Sequence, residues 1–253
     1  NYRELEGYKV PEHEETYYVL ATDKEASQSS ISIYTIHDNK DEKEKTLNDM
    51  REMYIVDLYN SMLRIRISEL LQKGTPPFIM GQSAYSNFVR FYDAYVINVT
   101  ANPNEEDVAL EAILTETERV YRYGFTQGEL DRAKTNMLTQ MISAYKQKDK
   151  ISNDRHSREI QQHFLTKEPL TGFDYEIAFV NAALPGISVD EINAKAKDWI
   201  VDRNKTIIVS GPSEGAKHLT KEEALALIEK VKKIKPFNYG KTKRHYIQST
   251  LHN

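Results

Sequence analysis

The residues most able to do chemistry here are two histidines and a glutamate at helical spacing. His156, Glu159 and His163 lie in the run His156-Ser-Arg-Glu159-Ile-Gln-Gln-His163. Positions i, i+3 and i+7 share one helix face, so two imidazoles and a carboxylate could converge on zinc. The spacing weighs against that. Catalytic zinc sites on one helix use a His pair four apart, whereas these imidazoles are seven apart, roughly 10 Å along the axis. Arg155, Arg158 and the neighbouring glutamines are typical of a solvated face, so the run reads as a surface helix and no metal ligand is assigned. Arg64 and Arg66, beside Glu69, close an apolar helix. A guanidinium there grips a peptide carbonyl or carboxylate, or it forms a salt bridge and lays its stem on the core. The second reading is preferred, and Arg66 is kept as the one substrate-binding candidate. Tyr85, Tyr92 and Tyr95, three of 16 tyrosines, suit sheet packing better than a peptide groove. No Walker A loop, dinucleotide fingerprint or nucleophile elbow occurs, and no catalytic residue is assigned.

The elements that must position these residues centre on Leu58 to Ala101. Apolar positions three and four apart run from Leu47 through Met50, Tyr54, Leu58 and Met62 to Ile65 and predict a long helix, with room for a kink. Lys73-Gly74-Thr75-Pro76-Pro77 stops it. Two extended runs follow, Phe78 to Tyr85 and Phe91 to Ala101, joined by a turn near Asn87 and Arg90. Before them, Thr16–Thr22 and Ile31–His37 read as strands. After them come about five helices, a short strand at Thr206–Ser210 and a last helix to Lys233. Capping boxes are read at Thr126/Glu129, Ser188/Glu191 and Thr220/Glu223. Segregated runs of strands and helices predict an α+β fold, a mostly antiparallel sheet with helices packed on one face. The expected organisation is a polar leading linker over 1–15, one domain over 16–233 and a basic tail over 234–253.

The chain has 253 residues, 28% charged, with a net charge of −4, which gives no basic field for nucleic acid. No apolar run approaches the roughly 18–20 residues of a membrane helix. The absence of cysteine excludes disulfides, thiol catalysis and thiolate metal sites. A start at Asn1 reads as a piece excised from something longer.

Two stretches carry a family resemblance: Met62-Leu-Arg-Ile-Arg66-Ile-Ser-Glu-Leu70 followed by Pro76-Pro77-Phe78, and Gly124-Phe-Thr-Gln-Gly-Glu129-Leu-Asp-Arg-Ala133-Lys-Thr-Asn-Met137-Leu. In order and spacing they resemble the M16 zinc metallopeptidases, the insulinase, pitrilysin and processing-peptidase family, over about Val10 to Lys233. The resemblance implies an M16/LuxS-like metallohydrolase domain. Long members have two halves, each of two related domains, closing around a peptide. Their zinc motif is an inverted His-x-x-Glu-His on the first domain. This sequence has no such motif; after Glu159 stands Ile160. It therefore resembles the second, non-zinc domain of the N-terminal half of a long bacterial member. The family's substrate-holding Arg and Tyr belong to the other half. Arg66 lies near that Arg, but Lys73 stands where the Tyr would be, so the role is not transferred.

The resemblance implies a parent that hydrolyses peptide bonds with zinc-bound water and a Glu base, zinc lying in the parent and no cofactor in this chain. Implied partners are the other M16 domains of the parent and a peptide or unfolded protein. An exported, periplasmic setting is preferred to a cytoplasmic one. The alternatives are a structural or chaperone-like peptide-binding module from a metal-less homologue, and an unrelated α+β binding domain.

Overall fold

Alternating burial along one strand sets the architecture. In Ser30–Asp38 the residues Ile31, Ile33 and Thr35 are buried and those between them are half-buried, the mark of a sheet with one covered face. The computed structural model describes residues 9–39, 45–72, 74–89, 91–150, 152–166, 169–234, 236 and 238. The leading linker before residue 9, Lys73, Arg90, the Arg155 side chain and the basic tail beyond 238 lie outside the described residues. The elements are β1 (Tyr17–Asp23), β2 (Ser30–Asp38), α1 (Leu47–Leu71), β3 (Met80–Val89), β4 (Tyr92–Thr100), α2 (Glu106–Tyr123), α3 (Gln127–Lys146), α4 (Asn153–Thr166), α5 (Phe173–Ala183), α6 (Val189–Trp199), β5 (Lys205–Pro212) and α7 (Lys221–Lys233). This is the expected order of strands and helices. The residues group into two compact units, and α1, α2 and α6 each contribute residues to both.

The first unit takes Asn1–Asp41, Arg66–Glu118 and Lys197–Lys235. Its sheet runs β1-β5-β2-β4-β3. Three pairings are antiparallel, and β1 lies parallel to β5. On the covered face, Ile33, Tyr95 and Ile97 meet Leu114 and Thr117 of α2 and Ile228 and Val231 of α7 around a cavity of about 60 Å³. A hydroxyl relay crosses this layer: Ser83 Oγ lies 2.8 Å from the Tyr95 hydroxyl, and Thr117 Oγ1 donates to Ser83 Oγ at 3.0 Å. At Gly81 the Phe78 ring approaches so closely that a Cβ would meet it at 2.8 Å. The β3–β4 turn places Phe91 at φ +70°, a conformation that costs a non-glycine residue of order 1 kcal/mol.

The second unit takes Glu42–Ile65, Arg119–Ala196 and Pro236–Asn253 and its described elements are helical. The capping box at Thr126/Glu129 is formed in full. Gly124 sits at φ +66°, and Asn193 holds the next residue from both sides, accepting from Phe125 N–H at 2.7 Å and donating to its carbonyl at 3.1 Å. The Tyr59 and Phe125 rings meet edge to face at 5.4 Å. Only half of the expected Ser188/Glu191 box exists. Ser188 Oγ accepts from Glu191 N–H at 3.2 Å, but the Glu191 carboxylate turns to Arg51, whose Nη2 donates at 2.7 Å.

The face of α1 differs from the one read by stepping through Leu47, Met50, Tyr54 and Ile65. The helix is continuous over 25 residues, and the buried stripe is Ile55, Leu58, Tyr59, Met62, Leu63, Arg66, Ile67 and Leu70. Leu47 and Ile65 are exposed. The stripe is two residues wide at each turn, so a single line of steps drifts onto its flank.

Candidate functional site

Register determines which side chains share the second face of the sheet. Paired residues point the same way, so Ser30, Ser32, Tyr34 and Ile36 of β2 stand beside Thr100, Asn98, Val96 and Ala94 of β4 and beside Ser210, Ile208 and Thr206 of β5. β3 adds Gln82, Ala84 and Ser86, and β1 adds Tyr17, Val19 and Ala21. Apart from the buried Ala84 and Ala94, these residues are half-buried or exposed, except Thr100 at the margin. An exposed sheet face normally carries long charged side chains. On this one the charged groups in the strands are confined to strand ends, Asp23 of β1 and Asp38 of β2. Its polar groups pair among themselves: Ser30 Oγ lies 2.9 Å from Ser210 Oγ, and Asn98 Nδ2 donates to Ser32 Oγ at 2.6 Å. Depletion of charge is the compositional signature of the core of an interface.

Two polar clusters hold the margins of this sheet. Around Asp93, Oδ2 accepts from Asn39 Nδ2 at 2.9 Å and from the Tyr85 hydroxyl at 3.0 Å, while Oδ1 accepts from Asn87 Nδ2 at 3.2 Å. The Tyr85 ring stacks on Trp199 at 4.3 Å. Burial, reinforced by the Asp93 carboxylate, pushes the Tyr85 phenol upward. His37 Nε2 lies 2.9 Å from the Trp199 carbonyl, and burial pulls its pKa down. With each carboxylate oxygen of Asp93 accepting a bond, the cluster ties Tyr85 and Asn87 of β3 and Asn39 to β4.

At the other margin, His218 Nδ1 lies 2.7 Å from Glu106 Oε1 and Nε2 lies 2.7 Å from the Pro212 carbonyl. Leu219 N–H donates to Glu106 Oε2 at 2.8 Å. The Pro212 carbonyl, then Glu106, raise the His218 pKa against the opposing effect of burial. The cluster ties the β5–α7 connection to the start of α2. Sequence reading did not single out either residue; a His five residues past Ser213 carries no local signal.

The residues singled out by chemistry do not come together in one site. Arg66 is 3% exposed, with its Nη1 3.7 Å from Glu116 Oε1, itself 1% exposed. Its counter-ion is therefore Glu116 of α2. Tyr95 is in the core, Tyr92 is buried and accepts from Val10 N–H through its hydroxyl at 2.7 Å, and Tyr85 belongs to the Asp93 cluster. His156, Glu159 and His163 lie on an exposed face of α4, with His156 Nδ1 3.5 Å from Glu159 Oε2. Among the described residues no group of three or more His, Cys, Asp or Glu is arranged to hold a metal ion. A resident zinc does not fit the described residues, and no chemical step follows from one here. No helix of the described residues is long and apolar enough to cross a membrane.

No protein-family profile matches the chain. A zinc protease PQQL-like protein of Arabidopsis thaliana is 27% identical over 186 residues, which is 74% of this chain and 16% of that protein. The first half of the periplasmic protease PqqL from Escherichia coli aligns with a TM-score of 0.84 at 18% identity, over 93% of this chain and 51% of that chain. A peptidase M16 inactive domain from Pseudomonas fluorescens aligns at 0.59 and 17% identity, over 84% of this chain and 48% of that one. The chain thus spans about half of each of these solved chains and a smaller part of the plant protein. The chain is similar in sequence to a zinc protease PQQL-like protein and shares its fold with M16 peptidase structures, an inactive domain among them, and the α+β arrangement expected from the resemblance is the one found.

Proposed function

We propose that this chain is a non-catalytic domain of an M16-type zinc metallopeptidase. In that role it forms part of the wall of a peptide-enclosing chamber and packs on the zinc-bearing domain of the same parent. The observation that carries the reading is the uncharged second face of the sheet, from Tyr17 and Val19 across Ile208, Ser32 and Asn98 to Gln82. Such a face suits contact with another polypeptide surface, because desolvating it strands no charge. The inward-turned Arg66 and the surface position of His156 and His163 fit a supporting domain. Residues 16–233 act as one module in this reading. Zinc and the general base belong to the partner domain, the substrate is a peptide or unfolded protein, and the parent is exported.

The test uses one substitution on that face. Ile208→Glu places a charge at its centre. In the parent protein it lowers peptidase activity by about tenfold or more by disturbing domain contact or chamber lining, while the chain alone keeps its thermal midpoint. Equal loss of stability in the chain alone would assign the residue to the core instead. The chain alone, supplied with zinc and an unstructured peptide, shows no hydrolysis; cleavage that a chelator stops overturns the reading. The structural or chaperone-like alternative is favoured by the likeness to an M16 inactive domain. A parent reading frame with no His-x-x-Glu-His would select it.

A further inference from the structure

The outer edge of β1 is open in a way that sheets normally avoid. Among the described residues β1 is the end strand and pairs only with β5, from Tyr17↔Thr206 to Asp23↔Pro212. In a strand paired on one side, part of the backbone N–H and C=O groups point to the free side. Between Tyr17 and Thr22 no further backbone partner for them occurs among the described residues. Natural sheets blunt such an edge with lysine, proline or a bulge. Tyr17-Tyr-Val-Leu-Ala-Thr-Asp23 has none of these, and Tyr17, Val19 and Leu20 are 51%, 46% and 49% exposed. The opposite edge, β3, does carry a register shift between Asn87 and Val89.

We propose that β1 accepts an added strand from another polypeptide: an extended segment, β-branched or aromatic in its middle and basic at its ends. The extended form follows from the row of unpaired backbone groups, and the apolar middle from Tyr17, Val19 and Leu20. The basic ends follow from charge. Glu12 and Glu14 precede the strand, Asp23 ends it and Glu25 follows it, against Lys24. Glu12, Glu14 and Glu25 have no ion-pair partner among the described residues. The same acids disfavour a second copy of this chain. A second copy would bring the same unpaired acids, Glu12, Glu14 and Glu25, to that edge and no basic ends to meet them. The site is the backbone edge of β1; Tyr17 and Val19 also stand on the uncharged face, whereas Leu20 does not.

The probe is the peptide Lys-Lys-Val-Thr-Val-Thr-Val-Lys-Lys, added to the full chain and followed by amide hydrogen exchange resolved by residue. The expected result is exchange slowed about tenfold or more at outward-facing amides of Tyr17–Asp23, weaker as salt is raised. The same core with glutamate ends protects less. Leu20→Lys, at an exposed position, keeps the thermal midpoint and loses the protection. Equal protection by the glutamate-ended peptide overturns the charge assignment. Protection confined to Met80–Val89, or no protection, overturns the site. Protection of β1 that rises with protein concentration without peptide makes a second copy the occupant and overturns the proposed partner.

Discussion

His218 Nδ1 faces Glu106 Oε1 at 2.7 Å while its Nε2 faces the Pro212 carbonyl. A carbonyl only accepts, and an ionised carboxylate only accepts. Opposite two such acceptors both ring nitrogens need a proton for both contacts to be hydrogen bonds, so the arrangement favours the cationic form of the ring. With side chains 9% and 4% exposed, the pair is largely out of water.

That pairing makes stability depend on pH in one direction. The folded pKa of His218 is raised, so its contribution is complete below the unfolded value of about 6.5 and is lost as the pH climbs through the folded value. Urea midpoints measured from mildly acidic to mildly alkaline pH should fall more steeply for the native chain than for His218→Gln. The variant should be less stable by about 2–3 kcal/mol on the acidic side, because Glu106 keeps its burial and loses a charged partner. Parallel curves for the two proteins would rule the pairing out as the source.

Arg66 and Glu116 form a second internal pair, less exposed than the first. Removing one member takes a buried counter-ion from the other, so Arg66→Ala should cost about 3 kcal/mol or more in denaturant unfolding. Replacing both with leucine should recover much of that loss, since a well-packed apolar pair escapes the desolvation penalty. If Arg66 served a bound peptide instead, Arg66→Lys would weaken peptide binding with stability unchanged.

Gly124 tests a backbone requirement in the helical unit. Its φ is +66°, and a Cβ there would meet Asn193 Cγ at 2.3 Å. Gly124→Ala must strain the left-handed conformation and displace the amide that holds Phe125 on both sides, a loss of about 2 kcal/mol or more. Thermal unfolding measures it. Asn193→Ala in the same background should cost little further, because the two share one defect.

His156 and His163 provide the contrast. Both are on the exposed face of α4. Replacing both with alanine should leave stability within about 0.5 kcal/mol, and titration with zinc should give the same curve before and after. A tight zinc isotherm lost in the double variant would restore the metal reading.

Legibility in the sequence followed the range of each interaction. The Thr126/Glu129 and Thr220/Glu223 boxes involve residues three apart, and both are formed as expected. The alternation in β2 was readable because each residue's burial depends on its own strand. Ser188/Glu191 obeys the same local rule and yet only half forms, because Arg51, far off in the chain, takes the carboxylate. Arg66 looked adjacent to Glu69, but its counter-ion is on α2. The uncharged sheet face was invisible for a deeper reason. In β2, β4 and β5 core residues occupy the alternate positions, and only the register of all five strands collects the neutral set on one side. The open edge of β1 likewise required knowing that β5, from nearly two hundred residues later, fills its inner side.

The diversion of Glu191 to Arg51 has a consequence for drift among descendants of this sequence. Glu191 changed alone leaves Arg51 without its carboxylate and the helix start unfinished, so replacement at 191 should follow, not precede, loss of the arginine. A lineage that loses the arginine is then freed to complete the box at Ser188, trading a long-distance tether for a neighbourly one.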